Sequence, residues 1–421
     1  MDKYPSETYA KLMIIRISNL LLGNHATYHR HSSVIARPFQ VMLDPSNTCQ
    51  LECPGCVHSP TVARRANSTG FTFDWPKGLM AESCYDKIIK NFAPYAFAST
   101  FYNYGEPLIN RKTPAMIRRA RDLLHYTWLS SNLSLSFDVD ALVSCGLDSL
   151  IISVDGTSQQ TLGHYRRRAK WDLCLANMHK LVEAKRRLDS RIQLEWQFLT
   201  FEHNVHEVPL AMRMAKDIGL DSIRIQTPFG VSWDAPDVKK AISPLVGQHR
   251  FPSNRPKDPP KPDLCSTVAA LEPYAELIDE IFKDGWENRM ARFGVVDEPS
   301  RAGGSTCEWL YQNITIDASA RLMPCCVAPG TNMHVVYGSL NDDDDGINTE
   351  GARLSRLAFA DRDAYKTEIQ GKSIRPYCAR CKMVIRYPFT REGSVRGAVS
   401  KLDGGVLLNW AAAVALTKWN H

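Results

Sequence analysis

The 421-residue sequence contains no run of about eighteen apolar residues, so it predicts no membrane-spanning helix. It also lacks a strong excess of either charge. With 51 lysines and arginines against 45 acidic residues, the formal net charge is +6, which does not indicate a nucleic-acid or membrane surface. The apolar stretch from Leu12 to Leu22 is interrupted by Arg16, and we expect no signal peptide. Twelve cysteines are too few for a disulfide scaffold in so long a chain. We therefore expect a cytoplasmic protein without a nucleic-acid partner.

From Phe39 to about Gln226, short apolar runs alternate with stretches of helical spacing. The six predicted strands are Gln40–Leu43, Phe97–Tyr102, Tyr126–Ser130, Leu150–Val154, Ile192–Leu199 and Ser222–Ile225. Predicted helices lie between them, the longest being an amphipathic one from Lys170 to Leu188. Because parallel neighbours need crossover helices, this alternation predicts a parallel α/β sheet. The periodicity alone fits an open barrel as well as a doubly wound sheet.

The chain divides into five predicted parts. Residues 1–38 form a helical extension, and residues 39–228 form the α/β unit. Residues 229–306 contain a proline-rich linker from Phe251 to Pro262 and a further helix. Residues 307–385 form a small second cysteine-bearing unit, a β-hairpin plus a helix, and residues 386–421 form a tail. We therefore predict one α/β domain with a smaller C-terminal domain.

Three cysteines stand close together just after the first predicted strand. Cys49, Cys53 and Cys56 have the spacing C-x3-C-x2-C, in a loop at the carboxyl end of that strand. In parallel α/β folds, this is the edge at which sites are built. Thiolates select zinc or iron-sulfur clusters, and a tetrahedral zinc normally takes four ligands. Three ligands in one loop instead indicate an iron-sulfur cubane with one iron left open, although buried structural cysteines are the plainer alternative.

The cysteine motif, its position after the first strand and the following repeats resemble the radical S-adenosylmethionine (SAM) superfamily over roughly residues 40–226. The resemblance implies a partial (β/α)6 TIM-like barrel that holds a four-iron, four-sulfur (4Fe-4S) cluster on Cys49, Cys53 and Cys56. The open iron would bind SAM. Reductive cleavage of SAM by an external one-electron donor of the flavodoxin or ferredoxin type would then yield a 5′-deoxyadenosyl radical that abstracts a substrate hydrogen.

Two further motifs resemble SAM-binding segments of the superfamily. Residues 103–107 read NYGEP at the end of the second strand and resemble a Gly-Gly-Glu-Pro turn. In this turn Tyr104 replaces the first glycine, and Gly105, Glu106 and Pro107 match. Ser131 and Asn132 close the third strand, where the superfamily often has Thr-Asn-Gly near the ribose; here the glycine is replaced. The resemblance therefore implies that all six residues lie at the cofactor.

The fourth strand ends in IISVDG, which supplies Ser153 and Asp155 and resembles a Ser-x-Asp-Gly sequence that approaches the cofactor. Tyr165 and Arg166 resemble a Tyr-Arg pair whose arginine meets the SAM carboxylate, and a guanidinium fork suits that contact. Adjacent arginines leave the register uncertain by one. Residue Gly55 stands where members often have an aromatic residue against the adenine.

A second set of cysteines lies towards the C-terminus. Cys307 and Cys325 are followed much later by the hook Cys378-Ala379-Arg380-Cys381. Four such thiolates fit either a zinc ion or a 4Fe-4S cluster. The spacing resembles the truncated, "twitch" form of the SPASM auxiliary domain, which implies one auxiliary 4Fe-4S cluster. Cys326 adjoins Cys325, and because successive strand residues face opposite ways only one of them can be the ligand; we choose Cys325.

The sequence therefore predicts a radical SAM enzyme with an oxidoreductase-type reaction. An auxiliary cluster favours oxidation or bond formation. No peptide-recognition domain is evident at the N-terminus, which favours a small, sugar- or aminocyclitol-like substrate over a peptide. The alternatives are a SPASM-type peptide-modifying maturase and a non-catalytic iron-sulfur or zinc-binding protein.

Overall fold

The computed structural model describes residues 30–54, 56–60, 76–228, 238–251, 309–326, 337–342, 346–372 and 376–380, together with residue 307 and single residues between 12 and 27. The predicted helix in the linker, the predicted C-terminal tail and Cys381 lie outside these residues. Within the part of the chain that the structure describes, none of the helices has the length and apolarity to cross a bilayer.

Ten strands form one mixed sheet. In chain order they are β1 (Gln40–Leu43), β2 (Ala98–Thr100), β3 (Tyr126–Ser131), β4 (Ser149–Ser153), β5 (Gln193–Leu199), β6 (Ser222–Gln226), β7 (Gly247–Arg250), β8 (Asn313–Ile316), β9 (Arg321–Met323) and β10 (Gly338–Ser339). Their spatial order is β10-β9-β8-β1-β2-β3-β4-β5-β6-β7. The strands from β8 to β6 in this order are parallel, whereas β7, β9 and β10 pair antiparallel with their neighbours. Over the described residues the sheet stays open between β10 and β7, as expected for a partial barrel.

Nine helices are described. They are α1 (Glu82–Phe92), α2 (Thr113–Asp122), α3 (Val139–Ser144), α4 (Gln159–Tyr165), α5 (Trp171–Arg187), α6 (Val208–Ile218), α7 (Trp309–Gln312), α8 (Glu350–Ala360) and α9 (Arg362–Glu368). The long helix α5 carries Asp172 in its first turn and three basic residues in its last turn, as the helix dipole favours. Side chains that cap the N-termini of α3 and α4 come from Asp138 and Ser158.

The six strands predicted between residues 40 and 226 are all present, with boundaries that differ by no more than two residues. The predicted α/β fold is therefore confirmed. The hairpin predicted around the turn at Asp317 is also present, as β8 and β9, in which Thr315 pairs with Met323. One feature was not predicted: β8 pairs in parallel with β1, so that the hairpin extends the barrel sheet itself.

The two faces of the sheet differ in polarity. Residues on the outer face, such as Leu43, Leu129, Ile152 and Trp196, are fully buried in one apolar core under the helices. Register partners in a parallel sheet share a face, and the opposite face carries Thr100, Trp128, Ser149 and Gln193 in one row across β2 to β5. Apart from Thr100, these inner residues are only half-buried. The concave inner face is thus polar and accessible, which suits a binding site rather than a packed core.

Candidate active site

The loop with the three predicted cluster cysteines follows β1 directly. Cys53 is buried, and Cys49 and Cys56 are half-buried. The Cys49 sulfur accepts a hydrogen bond from the backbone N–H of Leu51 at 3.4 Å and lies 3.8 Å from the donating Nδ2 of Asn132. The Cys56 N–H donates to the carbonyl of Cys53 at 3.1 Å. The loop therefore brings the three thiols together at the carboxyl edge of the parallel strands.

Without a metal, these three sulfurs would hold their protons. Burial raises the pKa of the Cys49 thiol, and the nearby Glu106 carboxylate raises it further. Burial likewise raises the pKa of Cys53 to about 12, against an opposing effect of Arg166. Burial also raises the pKa of Cys56, which the backbone N–H of His58 and the charge of Arg166 oppose. A bound metal cluster would displace these protons, since coordinated thiols are deprotonated. The donor set therefore fits a cationic metal centre.

Among the described residues, no three His, Cys, Asp or Glu side chains converge closely enough to hold a single metal ion. In a 4Fe-4S cubane each thiolate binds a different iron atom, so the sulfur ligands lie further apart than the ligands of a single metal ion do. A 4Fe-4S cluster therefore does not require three ligands to converge on one point.

Glu106 connects the ends of β2 and β3. Its buried carboxylate accepts hydrogen bonds from the Leu108 N–H at 3.1 Å, the Ser131 hydroxyl at 2.9 Å, and the N–H and Nδ2 of Asn132 at 2.9 and 2.6 Å. Burial raises the pKa of Glu106 to about 7, which the hydrogen bonds from Asn132 and Leu108 oppose. Pro107 begins a short 3-10 helix directly after it. Four predicted site residues are thus part of one arrangement.

Asn132 joins this arrangement to the cysteine loop. The Nε2 of Gln50, the residue after Cys49, donates to the Asn132 Oδ1 at 2.8 Å and to the Ser134 carbonyl at 3.2 Å. The Cys49 loop, the Glu106 turn and the end of β3 therefore form a continuous hydrogen-bonded frame. Gln50 was not predicted as a site residue, although its place inside the cysteine motif is a signal that could have identified it.

Asp155 and Arg166 form a buried ion pair beside the loop. The Arg166 Nε donates to the Asp155 Oδ2 at 2.6 Å, and the side chains are 14% and 0% exposed. The other carboxylate oxygen of Asp155 accepts the Leu199 N–H at 2.8 Å. Both oxygens of Asp155 are therefore engaged, whereas the two terminal guanidinium nitrogens of Arg166 make no hydrogen bond to any described residue. Its charge also lowers the pKa of Cys53 and Cys56, which places the guanidinium near the loop.

Ser153 ends β4 on the inner face. Its hydroxyl lies 2.8 Å from that of Ser130 on β3 and 3.4 Å from the Oε1 of Gln197 on β5, to which it donates. Tyr102 follows β2 directly: burial raises its pKa to about 12, and Cys326, Arg224 and Glu195 are its electrostatic neighbours. The inner face between the two cysteine groups is therefore lined by hydroxyl, amide and ionic side chains.

Asp44, which the sequence analysis missed, anchors the NYGEP turn. It follows β1 and is 1% exposed, and its Oδ1 accepts hydrogen bonds from the N–H groups of Asn103, Tyr104 and Gly105 at 2.9, 3.1 and 3.2 Å. A charged residue at the carboxyl end of an apolar strand was the available signal. Asp44 therefore fixes the backbone of the turn that resembles the SAM-binding segment.

We expect the stability of the metal-free protein to depend on pH through Asp44. Burial raises the pKa of Asp44 to about 7, and the three N–H donors only partly offset this effect. The pKa of Asp44 in the folded protein lies above its value of about 3.9 in the unfolded chain. The contribution of Asp44 to stability is therefore complete below a pH of about 3.9 and is lost as the pH rises to about 7. Relative to Asp44→Asn, the wild type should lose roughly 1–4 kcal/mol of unfolding free energy across this window. Urea titrations at several pH values measure the difference; parallel curves for the two proteins would contradict the expectation.

Replacing Gly105 with alanine should disrupt the same turn. A Cβ at Gly105 would lie 1.5 Å from the carbonyl oxygen of Ser46, and backbone cannot yield as a flexible side chain would. We expect Gly105→Ala to lower the unfolding free energy by at least about 1–3 kcal/mol, the usual effect of overpacking. Gly78→Ala is the matched control, because nothing lies within 4 Å of a Cβ there. Urea unfolding of both variants tests this, and equal stabilities would show that the turn relaxes.

The second group of cysteines lies near β8, β9 and the short 3-10 helix Tyr377–Arg380. Cys307, Cys325 and Cys326 are half-buried, and Cys378 is buried. The phenol of Tyr337 is in electrostatic contact with Cys378, Cys307 and Cys325, and both Cys325 and Cys326 affect Tyr104. Tyr337 thus has an electrostatic interaction with three of the four predicted auxiliary ligands.

Comparisons with known proteins give distant relatives. No protein-family model matches the sequence. A "PqqA peptide cyclase" of Bradyrhizobium diazoefficiens is 23% identical over 301 residues, which cover 69% of this chain and 67% of that protein. A "PqqA peptide cyclase" of Granulibacter bethesdensis is 21% identical over 206 residues, covering 48% of this chain and 50% of the relative. The second match thus spans only half of the relative's length.

Solved structures show a distant similarity of fold. Streptococcus suis SuiB bound to S-adenosylmethionine aligns with a TM-score of 0.49 at 12% identity, covering 77% of this chain and 68% of SuiB. BtrN in complex with AdoMet and 2-DOIA aligns with a TM-score of 0.40 at 12% identity, covering 83% and 94%.

Proposed function

We propose that the chain is a radical SAM enzyme that binds SAM and a 4Fe-4S cluster at the carboxyl edge of β1 to β4. When bound and reduced, this pair supplies a 5′-deoxyadenosyl radical that takes a hydrogen atom from a substrate. The single observation that supports the site best is the frame that joins the three-cysteine loop, Glu106 and Asn132.

The roles of the remaining residues follow from their hydrogen bonds. Cys49, Cys53 and Cys56 would hold the cluster, and the turn at Tyr104 and Gly105, fixed by Asp44, would present its backbone to the SAM ammonium. Asp155 would act through Arg166, because both of its oxygens are engaged by protein donors. Arg166 would receive the SAM carboxylate on its two terminal nitrogens, which suit a bidentate contact.

Ser131 and Ser153 lie at the same edge, and we assign both to the cofactor's surroundings. The Ser131 hydroxyl already donates to Glu106, which makes it part of the frame. Ser153 lies on the inner face between Ser130 and Gln197, where the adenosyl group and the substrate would meet. The concave polar face that continues to Glu195 and Arg224 would then contact the substrate.

For the substrate, we propose a peptide side chain. Both curated relatives are named for a peptide, which favours a peptide over the sugar-like small molecule that the sequence alone led us to expect. The second cysteine group would hold an auxiliary 4Fe-4S cluster on Cys307, Cys325, Cys378 and Cys381. Such a cluster could accept the electron left after hydrogen abstraction and loss of a proton, giving a net oxidation or a new bond. A flavodoxin- or ferredoxin-type protein would supply the first electron.

The proposal is tested by anaerobic reconstitution with iron and sulfide, followed by dithionite and SAM. We expect 5′-deoxyadenosine and methionine by mass spectrometry, and about eight iron atoms per chain if both clusters form. Absence of 5′-deoxyadenosine at full iron content would overturn the assignment. Co-expression with short open reading frames beside the gene tests the substrate class, because an oxidised or cross-linked peptide loses the mass of two hydrogens.

A further inference from the structure

Arg356 on α8 is a buried cation without an acidic partner. It is 2% exposed, and its Nε donates to the carbonyl of Leu310 at 3.0 Å. Its NH1 donates to the carbonyl of Ser32 at 2.9 Å and to the Oδ1 of Asn348 at 3.3 Å, and its NH2 donates to the carbonyl of Ile347. No carboxylate pairs with it among the described residues. Burying a charge in this way is costly unless a counter-charge is nearby.

The candidate counter-charge is the second cysteine group. Helix α8 packs on the 3-10 helix that carries Cys378. The Leu310 residue that receives the Arg356 Nε donates its own N–H to the carbonyl of Cys307 at 3.1 Å. Burial lowers the pKa of Arg356, and Tyr337, Tyr311 and Cys378 oppose that effect. A guanidinium nevertheless stays charged in proteins, so a full positive charge interacts with Cys378 and is linked to the backbone of Cys307 through Leu310.

Buried polar atoms without a hydrogen-bond partner among the described residues lie near Arg356. The hydroxyl of Tyr337 and the Oδ1 of Asn313 are buried and have no hydrogen-bond partner in the part of the chain that the structure describes. Tyr337, Asn313 and Arg356 line one small pocket. Buried polar groups are rarely left unsatisfied, and such groups call for an explanation, an absent ion being one of them. The tyrosine is also the residue in electrostatic contact with Cys307, Cys325 and Cys378.

We propose that Arg356 and Tyr337 raise the reduction potential of the auxiliary cluster, the arginine by its charge and the tyrosine by a hydrogen bond to a cluster or cysteine sulfur. This inference rests on the proposed function, specifically on its auxiliary cluster. A cluster held by four thiolates is an anion, and reduction adds one more negative charge. A buried cation stabilises the reduced form more than the oxidised form, and net charge and hydrogen bonds to sulfur are known determinants of such potentials.

The test uses the full-length chain with Cys49, Cys53 and Cys56 all changed to alanine, so that only the auxiliary cluster remains. In this background, redox titrations followed by electron paramagnetic resonance compare the parent with Arg356→Gln, Arg356→Lys and Tyr337→Phe. We expect Arg356→Gln to reduce the ratio of reduced to oxidised cluster at least tenfold at a fixed potential, which is a shift of 59 mV to lower potential for one electron. Arg356→Lys should restore most of the potential, and Tyr337→Phe should lower it by a smaller amount.

Arg16 provides the matched control, because it is another buried arginine whose guanidinium donates to the carbonyls of Ala93 and Leu123. Arg16→Gln likewise replaces a buried guanidinium by a neutral amide, and it should leave the reduction potential of the auxiliary cluster unchanged. An unchanged reduction potential in Arg356→Gln would overturn the proposal. If Arg356→Gln cannot be loaded with iron, an unchanged reduction potential in Tyr337→Phe would overturn it instead. Absence of iron in the triple cysteine variant would also overturn it, while 5′-deoxyadenosine formation by the wild type would still support the radical SAM site.

Discussion

Cys49→Ala should lower the formation of 5′-deoxyadenosine by more than about 100-fold, because even loss of an outer-shell partner of a metal ligand typically costs 10–100-fold. The sulfur of Cys49 lies at the centre of the proposed frame, with donors from Leu51 and Asn132 directed at it. Removing one of the three thiolates would leave the cluster with two protein ligands. The loss should therefore appear in the iron content as well as in SAM cleavage.

Cys145→Ala is the control for this experiment. Cys145 is buried, and its thiol donates to the carbonyl of Leu142 at 3.0 Å at the C-terminal end of helix α3, away from the carboxyl edge. It should keep its iron and form 5′-deoxyadenosine at close to the wild-type rate, with some loss of stability from the cavity. If Cys49→Ala turned over SAM as well as Cys145→Ala does, the three-cysteine loop would not be the cluster site.

The strands of the barrel could be predicted from the sequence because each is a short apolar run that ends at a polar or turn-forming residue. The strand β1 shows this: Gln40–Leu43 is followed by Asp44 and Pro45, and the boundaries are those of the structure. The cysteine loop could likewise be located, since its position depends only on following the first strand. Both are local properties of the chain.

Non-local contacts explain what was missed. The pairing of β8 with β1 joins segments about 270 residues apart, as in the register of Gln40 with Asn313, and no local pattern encodes it. Asp44 acquires its role from three N–H groups about 60 residues further along. The family pattern has glycine at the position of Tyr104, yet the turn forms here. This is possible because the residue whose backbone comes close to Ser46 is Gly105. Arg356 lies in an ordinary amphipathic helix and gains significance only through the neighbouring cysteines.

Asp155→Asn is expected to lower the free energy of unfolding by about 3–5 kcal/mol, the usual cost of removing one partner of a buried ion pair. Asp155 is fully buried and Arg166 is 14% exposed, so water cannot replace the lost carboxylate. An amide at this position would also place its NH2 group against either the Nε of Arg166 or the N–H of Leu199, a donor facing a donor. Urea unfolding measures the stability, and SAM titration should show weakened binding as Arg166 loses its orientation.

A matched control is the exposed pair of Asp140 and Arg187, whose side chains are 57% and 52% exposed. Asp140→Asn should change the unfolding free energy by less than about 1 kcal/mol, because solvent already screens that pair. The double variant Asp155→Asn/Arg166→Gln gives the sharper result. It removes the uncompensated buried charge, so it should recover part of the stability lost in Asp155→Asn while still binding SAM poorly. If the double variant were as unstable as the sum of its two single variants, the ion pair would not be the cause of the loss.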